Sequence, residues 1–338
     1  MRRASHAVFV LVGAMSAVPA FAQGVPDPSR IAPGQTCTVV TQANADASAG
    51  KANINHDGTS LAGIPAPDIS RGFNGIPRSA QPPLTASQKR ILECTYRLAE
   101  ANADMPYTLF VPSTYQPGKP TPLIVDLHGL NITPLQQILF DGTTDLAERF
   151  GFIVLAPTGF NLSSWWGSRP GKPIATAAVK PGGDVAYSNT ELAEIDAMAV
   201  LKLIREKYTI DRDRIYLMGH SMGGAGTYYL GGKYNDIWAG LAPIAGAGGI
   251  AEGTADRYKS LPTLIMHGEK DSIVPAATSR KSVAALQAAG APHVYLEFPD
   301  KDHEFWIRRG AAQMEKVFLF FSLVSRTTTV QVSAATIR

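Results

Sequence analysis

The stretch Arg214 to Leu230 constrains this chain more than any other. It reads Arg-Ile-Tyr-Leu-Met-Gly-His-Ser-Met-Gly-Gly-Ala-Gly-Thr-Tyr-Tyr-Leu. A short apolar run breaks at Gly219, presents Ser221, and passes through small residues into a helix-like segment. Gly219 to Gly223 fit G-x-S-x-G, a strand-to-helix elbow that holds a serine in strained backbone geometry. A side chain at either glycine would collide with the neighbouring strand or helix. With 31 glycines in the chain, five residues can match by accident. The strand before the elbow and the run Gly223-Gly224-Ala225-Gly226 after it are what distinguish this match.

The 338 residues can hold one large α/β domain or two ordinary ones. Lys+Arg 31 against Asp+Glu 28 leaves a net charge of +3 without a basic block, so nothing marks nucleic acid or an anionic membrane surface as a partner. Residues 1–22 read as a signal peptide: Arg2 and Arg3, the apolar stretch Ala7 to Val18, and Ala20-Phe21-Ala22 as a small-x-small cleavage site. The run is short for a membrane anchor. The mature chain is therefore expected to be secreted or periplasmic, with no membrane association after cleavage. In that oxidising setting Cys37 and Cys94, the two cysteines of the chain, are either a disulfide or two buried thiols. The bridge is the expectation, as a staple between the N-terminal region and the domain that follows.

Residues 23–84 are rich in Pro, Gly, Ala, Ser, Asn and Asp, without sustained period, and read as an irregular N-terminal extension with one short strand near Thr38 to Thr41. From Thr85 the pattern changes. Thr85 and Gln88 have capping-box spacing, and Ile91, Leu92, Thr95, Leu98 and Ala99 share one helical face, which predicts a helix over 86–101 bearing Cys94. Strand-like runs then alternate with helix-like ones. The strands are Tyr107–Val111, Leu123–Leu127, Phe152–Ala156, Ile215–Met218, Trp238–Ile244, Thr263–Met266 and Val294–Phe298; the helices are 134–150, 190–208, 276–289 and 309–321. This alternation predicts an α/β fold with a mostly parallel central sheet flanked by helices, over about 85–325, and a C-terminal tail at 326–338. In such sheets functional groups gather beyond the carboxyl ends of the strands.

A serine hydroxyl is a poor nucleophile unless a base takes its proton, an acid orients the base, and donors meet the oxyanion. After a serine elbow the partners follow in the order acid, then histidine. The strand ending at Met266 runs into His267-Gly268-Glu269-Lys270-Asp271, which offers Glu269 and Asp271 as acids; a loop Asp here could also cap the next helix. The strand ending at Phe298 leads to His303. His267 and His293 precede their required places, and His220 adjoins the serine. Oxyanion donors would be the backbone N–H of Met222 and, from the loop Leu127-His128-Gly129-Leu130, that of Leu130, with Gly129 permitting close approach.

The segments His128-Gly129, Gly219 to Gly224, His267 to Asp271 and Asp302-His303 together resemble the α/β-hydrolase superfamily. They are closest to its secreted feruloyl esterases, polyhydroxybutyrate depolymerases and related predicted peptidases. The resemblance covers about residues 107–322 and has no counterpart before 107. It implies an α/β-hydrolase fold, Asp271 rather than Glu269 as the acid, and acyl transfer in which Ser221 attacks a carbonyl, His303 moves the proton and water releases the acid. It implies no cofactor. Leu130 stands where lipases carry a second glycine, which argues against a lipase.

Selectivity is expected from insertions above the strand ends, chiefly 161–187 with Trp165 and Trp166. These tryptophans could line an acyl or aryl cleft or pack into the core. His128, His220 and Trp306 are further candidate substrate contacts, and no metal site has ligand spacing. The resulting expectation is an exported serine esterase acting on a small or polymeric carboxylic ester, aromatic or hydroxyacyl. The alternatives are a serine peptidase on the same fold and a non-catalytic binding protein. The oligomeric state is left open.

Overall fold

The computed structural model describes residues 36–49, 82–304, 310–327 and 335–337. The signal-like segment 1–22, most of the extension and Trp306 lie outside them. Ten strands form one sheet: β1 (Thr36–Val39), β2 (Leu92–Leu98), β3 (Ala103–Phe110), β4 (Thr121–Leu127), β5 (Ile153–Pro157), β6 (Ile210–His220), β7 (Gly240–Ile244), β8 (Thr263–Gly268), β9 (His293–Phe298) and β10 (Ala335–Ile337), in the order β1-β2-β3-β5-β4-β6-β7-β8-β9-β10. The pairs from β1 to β5 are antiparallel, and from β5 through β4 to β10 every pair is parallel. This is the expected α/β-hydrolase architecture, with antiparallel strands at one side and a parallel remainder.

The helices are α1 (Gln42–Ala49), α2 (Pro134–Ile138), α3 (Thr143–Phe150), α4 (Asn189–Lys207), α5 (Met222–Lys233), α6 (Ala277–Ala289) and α7 (Ala311–Leu323). They cover both faces, because the inner strands are apolar on both sides. The alternation is plain in β6: Ile215 and Leu217 join the core under α4, α5 and α6, while Tyr216 and Met218 join the one under α2, α3 and α7. In β4, Leu123 and Val125 belong to the first of these cores and Ile124 to the second. The connection from β4 goes to β5 on one side, and the chain then returns to place β6 on the other. The carboxyl ends of β4 and β6 therefore flank a topological switch point, where open α/β sheets bind ligands.

The expected helix over 86–101 is instead a 3₁₀ turn, Gln88–Arg90, followed by β2. The capping pair itself forms: Thr85 N donates to Gln88 Oε1 at 3.0 Å and Gln88 N to Thr85 Oγ1 at 3.2 Å. What decides the segment is its other period. Leu92, Cys94 and Leu98 alternate as buried residues, and β2 is paired on both sides, so the ladder prevails over the helical spacing. Cys94 thus sits on a strand, opposite Cys37 of β1, and the two form the disulfide.

The helix expected over 134–150 is two, α2 and α3, parted at Gly142 with φ +82°. A Cβ there would lie 3.0 Å from the Cα of Ala311, so α7 leaves no room for a side chain. The remaining expected strands and helices are present with shifted ends.

Candidate active site

β6 delivers the serine. Ser221 has φ 59°, ψ −114°, a conformation an L-residue holds only when its surroundings impose it. Its N–H donates to Ile244 O at 2.9 Å, and its carbonyl accepts from Ala225 N and Ala247 N, both at 3.1 Å. The glycines make the turn possible: a Cβ on Gly223 would stand 1.9 Å from Leu127 O, and one on Gly219 would stand 2.6 Å from the carbonyl of Gly223. The elbow is thereby pressed against the end of β4.

Two further loops meet beyond β8 and β9. A Cβ on Gly268 would lie 2.4 Å from Lys301 O and 2.7 Å from Asp302 O, so the two loops touch main chain to main chain. Glu269 N donates to Phe298 O at 3.0 Å and Lys270 N to Lys301 O at 2.9 Å. This contact brings Asp271 to His303: Oδ2 of the acid is 2.7 Å from Nδ1 of the ring, both side chains buried. Oδ1 accepts from the N–H groups of Ile273 and Val274 at 2.9 and 2.8 Å. Asp271 does not cap the next helix, which starts at Ala277 behind Ala276. Burial opposes its ionisation, yet hydrogen bonds from His267, His303 and the Val274 N–H outweigh that and hold the carboxyl well below its usual range. Glu269 is exposed.

An ionised acid fixes the proton of His303 on Nδ1 and leaves Nε2 as an acceptor. Neither Nε2 nor the Ser221 hydroxyl has a hydrogen-bond partner among the described residues. Such contacts commonly tighten only when substrate arrives. A side chain joins the two segments more directly: Nε2 of His220, the residue before Ser221, is 2.8 Å from the main-chain oxygen of His303.

Met222 opens α5, and Leu130 lies in the loop after β4, with its side chain 41% exposed. Across β4 and β6 the register pairs Leu127 with Gly219, which sets the two donor segments side by side at the ends of adjacent strands.

Three of the expected substrate contacts are not placed to touch a substrate. His128 is 0% exposed, with Nε2 2.7 Å from Thr158 O and Nδ1 2.8 Å from Gly129 O, and burial lowers its pKa. His220 is 2% exposed. Trp166 is 1% exposed; a Cβ on Gly226 or Gly159 would lie 2.6 Å from its ring, and its Nε1 donates to His128 O at 3.2 Å. All three face inward because the backbone around them lacks side chains or offers them carbonyls. Trp165 differs: it is half-buried, with the Arg169 guanidinium over its ring at 3.1 Å.

Sequence reasoning missed Asp196 of α4. Its buried carboxylate accepts from Gly159 N at 2.6 Å, Phe160 N at 3.1 Å and the Tyr96 hydroxyl at 2.5 Å, pinning the turn that starts the 161–187 insertion. Its position four residues after Leu192, on the apolar face, was the available signal. Beside the insertion, Arg169, Lys180, Glu191, Glu194, Tyr229 and Lys233 line a polar cavity of about 500 Å³. Among the described residues no helix is long and apolar enough to cross a membrane, and no group of three His, Cys, Asp or Glu could hold a metal ion.

The profile of the prolyl oligopeptidase family matches residues 251–328, which include Asp271 and His303. A bifunctional acetylxylan esterase/xylanase, XynS20E, of Neocallimastix patriciarum is 26% identical over 175 residues, 52% of this chain and 22% of that protein. Feruloyl esterase B of Neurospora crassa is 28% identical over 136 residues, 39% of this chain and 42% of its own. This chain thus spans less than half the length of either relative. Among solved structures, a thermostable esterase superposes with TM-score 0.52 and 27% identity, covering 70% of this chain and 63% of the other. The sheet order, the serine elbow and these likenesses together show that the chain has the α/β-hydrolase fold.

Proposed function

We propose that this protein is an exported serine esterase that hydrolyses carboxylic esters through an acyl-enzyme on Ser221. One observation above the rest supports the reading: a buried, ionised Asp271 bonded to Nδ1 of His303, in a loop tied to the strand that presents Ser221. In this reading Nε2 of His303 takes the proton of the Ser221 hydroxyl as its oxygen attacks the ester carbonyl. The N–H groups of Met222 and Leu130 receive the oxyanion, and the same imidazole returns the proton to the leaving alcohol. Water, deprotonated by His303 in turn, then releases the acid and restores Ser221.

The acyl group is aromatic or a hydroxyacyl chain, a reading supported by the half-buried Trp165 and by the likeness to a feruloyl esterase. Export rests on residues 1–22, and the catalytic unit is read over 85–325, with β1 of the extension 23–84 and β10 of the tail 326–338 pairing onto the edges of its sheet. A serine peptidase is the second reading, favoured by the prolyl oligopeptidase match over 251–328. A panel of aryl cinnamate esters, short hydroxyalkanoate oligomers and a peptide amide separates them. Turnover of a cinnamate or an oligomer without the amide supports the esterase; turnover of the amide alone overturns it, and failure to react with a fluorophosphonate removes both.

A further inference from the structure

His220 ends β6 and precedes Ser221. Its ring lies against Phe140, edge-on with centroids 5.9 Å apart, and against the ring of His303, 4.7 Å away and tilted by 45°. Nε2 is 2.8 Å from the main-chain oxygen of His303. A carbonyl can only accept, so Nε2 bears the proton and donates it. That leaves Nδ1 as a bare acceptor, and it is buried without a hydrogen-bond partner.

A phenyl ring would fill the same space without an unpaired nitrogen. What it would lack is the N–H donor. The ring is also neutral, because burial, and then the neighbouring His303, hold its pKa down to about 3. A neutral imidazole with its only proton spent on a backbone carbonyl does not shuttle protons to Ser221; it ties one loop to another.

We propose that His220 is a positioning residue that fixes His303 to the serine elbow, so that the base is held at two points: its Nδ1–H by Asp271 and its carbonyl by His220. The proposal rests on Ser221, Asp271 and His303 forming the proton relay. The consequence is that His220 acts on turnover and hardly on substrate binding.

The test compares His220→Gln, His220→Asn and His220→Phe. The glutamine amide reaches the position of Nε2, the asparagine amide stops short of it, and phenylalanine keeps the ring without a donor. In p-nitrophenyl acetate hydrolysis, the Asn and Phe variants are expected to lose about 10- to 100-fold in kcat at nearly unchanged KM, and the Gln variant to stay within about threefold of wild type. Labelling of Ser221 by a fluorophosphonate should slow in the same order. Unimpaired kcat in the Phe variant, or equal losses in all three, overturns the proposal. Should the Phe variant fail to fold, the Gln and Asn pair decides by the same comparison. Ser221→Ala and His303→Ala serve as controls: if they retain activity, the relay itself is rejected; if they are silent while His220→Phe is not impaired, only the positioning role falls.

Discussion

His267 and His303 meet the same oxygen of Asp271, Nε2 of the first at 3.2 Å and Nδ1 of the second at 2.7 Å. His267 is itself locked, with Nε2 2.7 Å from Val274 O and Nδ1 2.7 Å from the Ser279 hydroxyl. Nε2 of His267 must therefore donate to the carbonyl, with the carboxylate as a second acceptor, while Nδ1 pairs with the Ser279 hydroxyl. The acid is held from behind by a ring that has no free nitrogen.

Asp271→Asn should lower kcat for a p-nitrophenyl ester by about 10³- to 10⁴-fold, since the base is then left in the wrong tautomer. Wild-type turnover in that variant would reject Asp271 as the orienting acid. Because the carboxyl is held below its ordinary range, its stabilising contribution is complete above the unfolded pKa of about 3.9 and lost as the pH falls through the lower folded value. The Tm gap between wild type and Asp271→Asn should accordingly be constant at neutral pH and close in acid.

Asp196 has the opposite sign. Burial pushes its pKa up to about 6, against the hydrogen bonds that lower it. The folded state therefore resists its ionisation, and stability from this group is present below about pH 4 and lost as the pH rises through 6, by roughly 3 kcal/mol. In Asp196→Asn the decline of Tm between pH 4 and 7 should be smaller than in wild type; parallel curves would refute this assignment.

Gly223→Ala places a methyl 1.9 Å from a main-chain oxygen, which no rotamer can relieve. A loss of about 3 kcal/mol, lowering Tm by about 6–12 °C, is expected together with loss of ester turnover. Calorimetry showing an unchanged Tm would mean that the elbow and β4 are farther apart than described.

Trp166→Ala should destabilise by about 3–5 kcal/mol, because the ring is buried against Gly159 and Gly226. Trp165→Ala is expected to leave Tm nearly unchanged and to raise KM for an aryl cinnamate. Equal effects of the two substitutions on denaturant midpoints would contradict the division between them.

Cys37 and Cys94 close a loop of separation 57, whose cross-link removes about 4 kcal/mol of chain entropy from the unfolded state. The paired Cys→Ser variant should melt lower and yield sooner to protease near residues 36–49. Its kcat should be unchanged, since β3, β5 and β4 stand between the bridged strands and β6.

The parallel half of the sheet was legible because its strands are short apolar runs between breakers, and buried strands need no alternation to be recognised. The positions of Ser221, Asp271 and His303 were legible for the related reason that each follows such a run. β2 misled because Ile91, Leu92, Thr95 and Leu98 satisfy a helical stripe, while the partners that make it a strand are distant in sequence. Inwardness was illegible too. Nothing local to His128, His220 or Trp166 announces the carbonyls of Thr158, His303 and His128 that receive their N–H groups.

The bare contact of Gly268 with Lys301 and Asp302 leaves no side chain between the two loops to cushion one against the other. Whatever shifts the first drags the second, so Asp271 and His303 travel as a single plate. Through the contact of His220 with the His303 carbonyl, that plate is joined in turn to the strand end that carries Ser221.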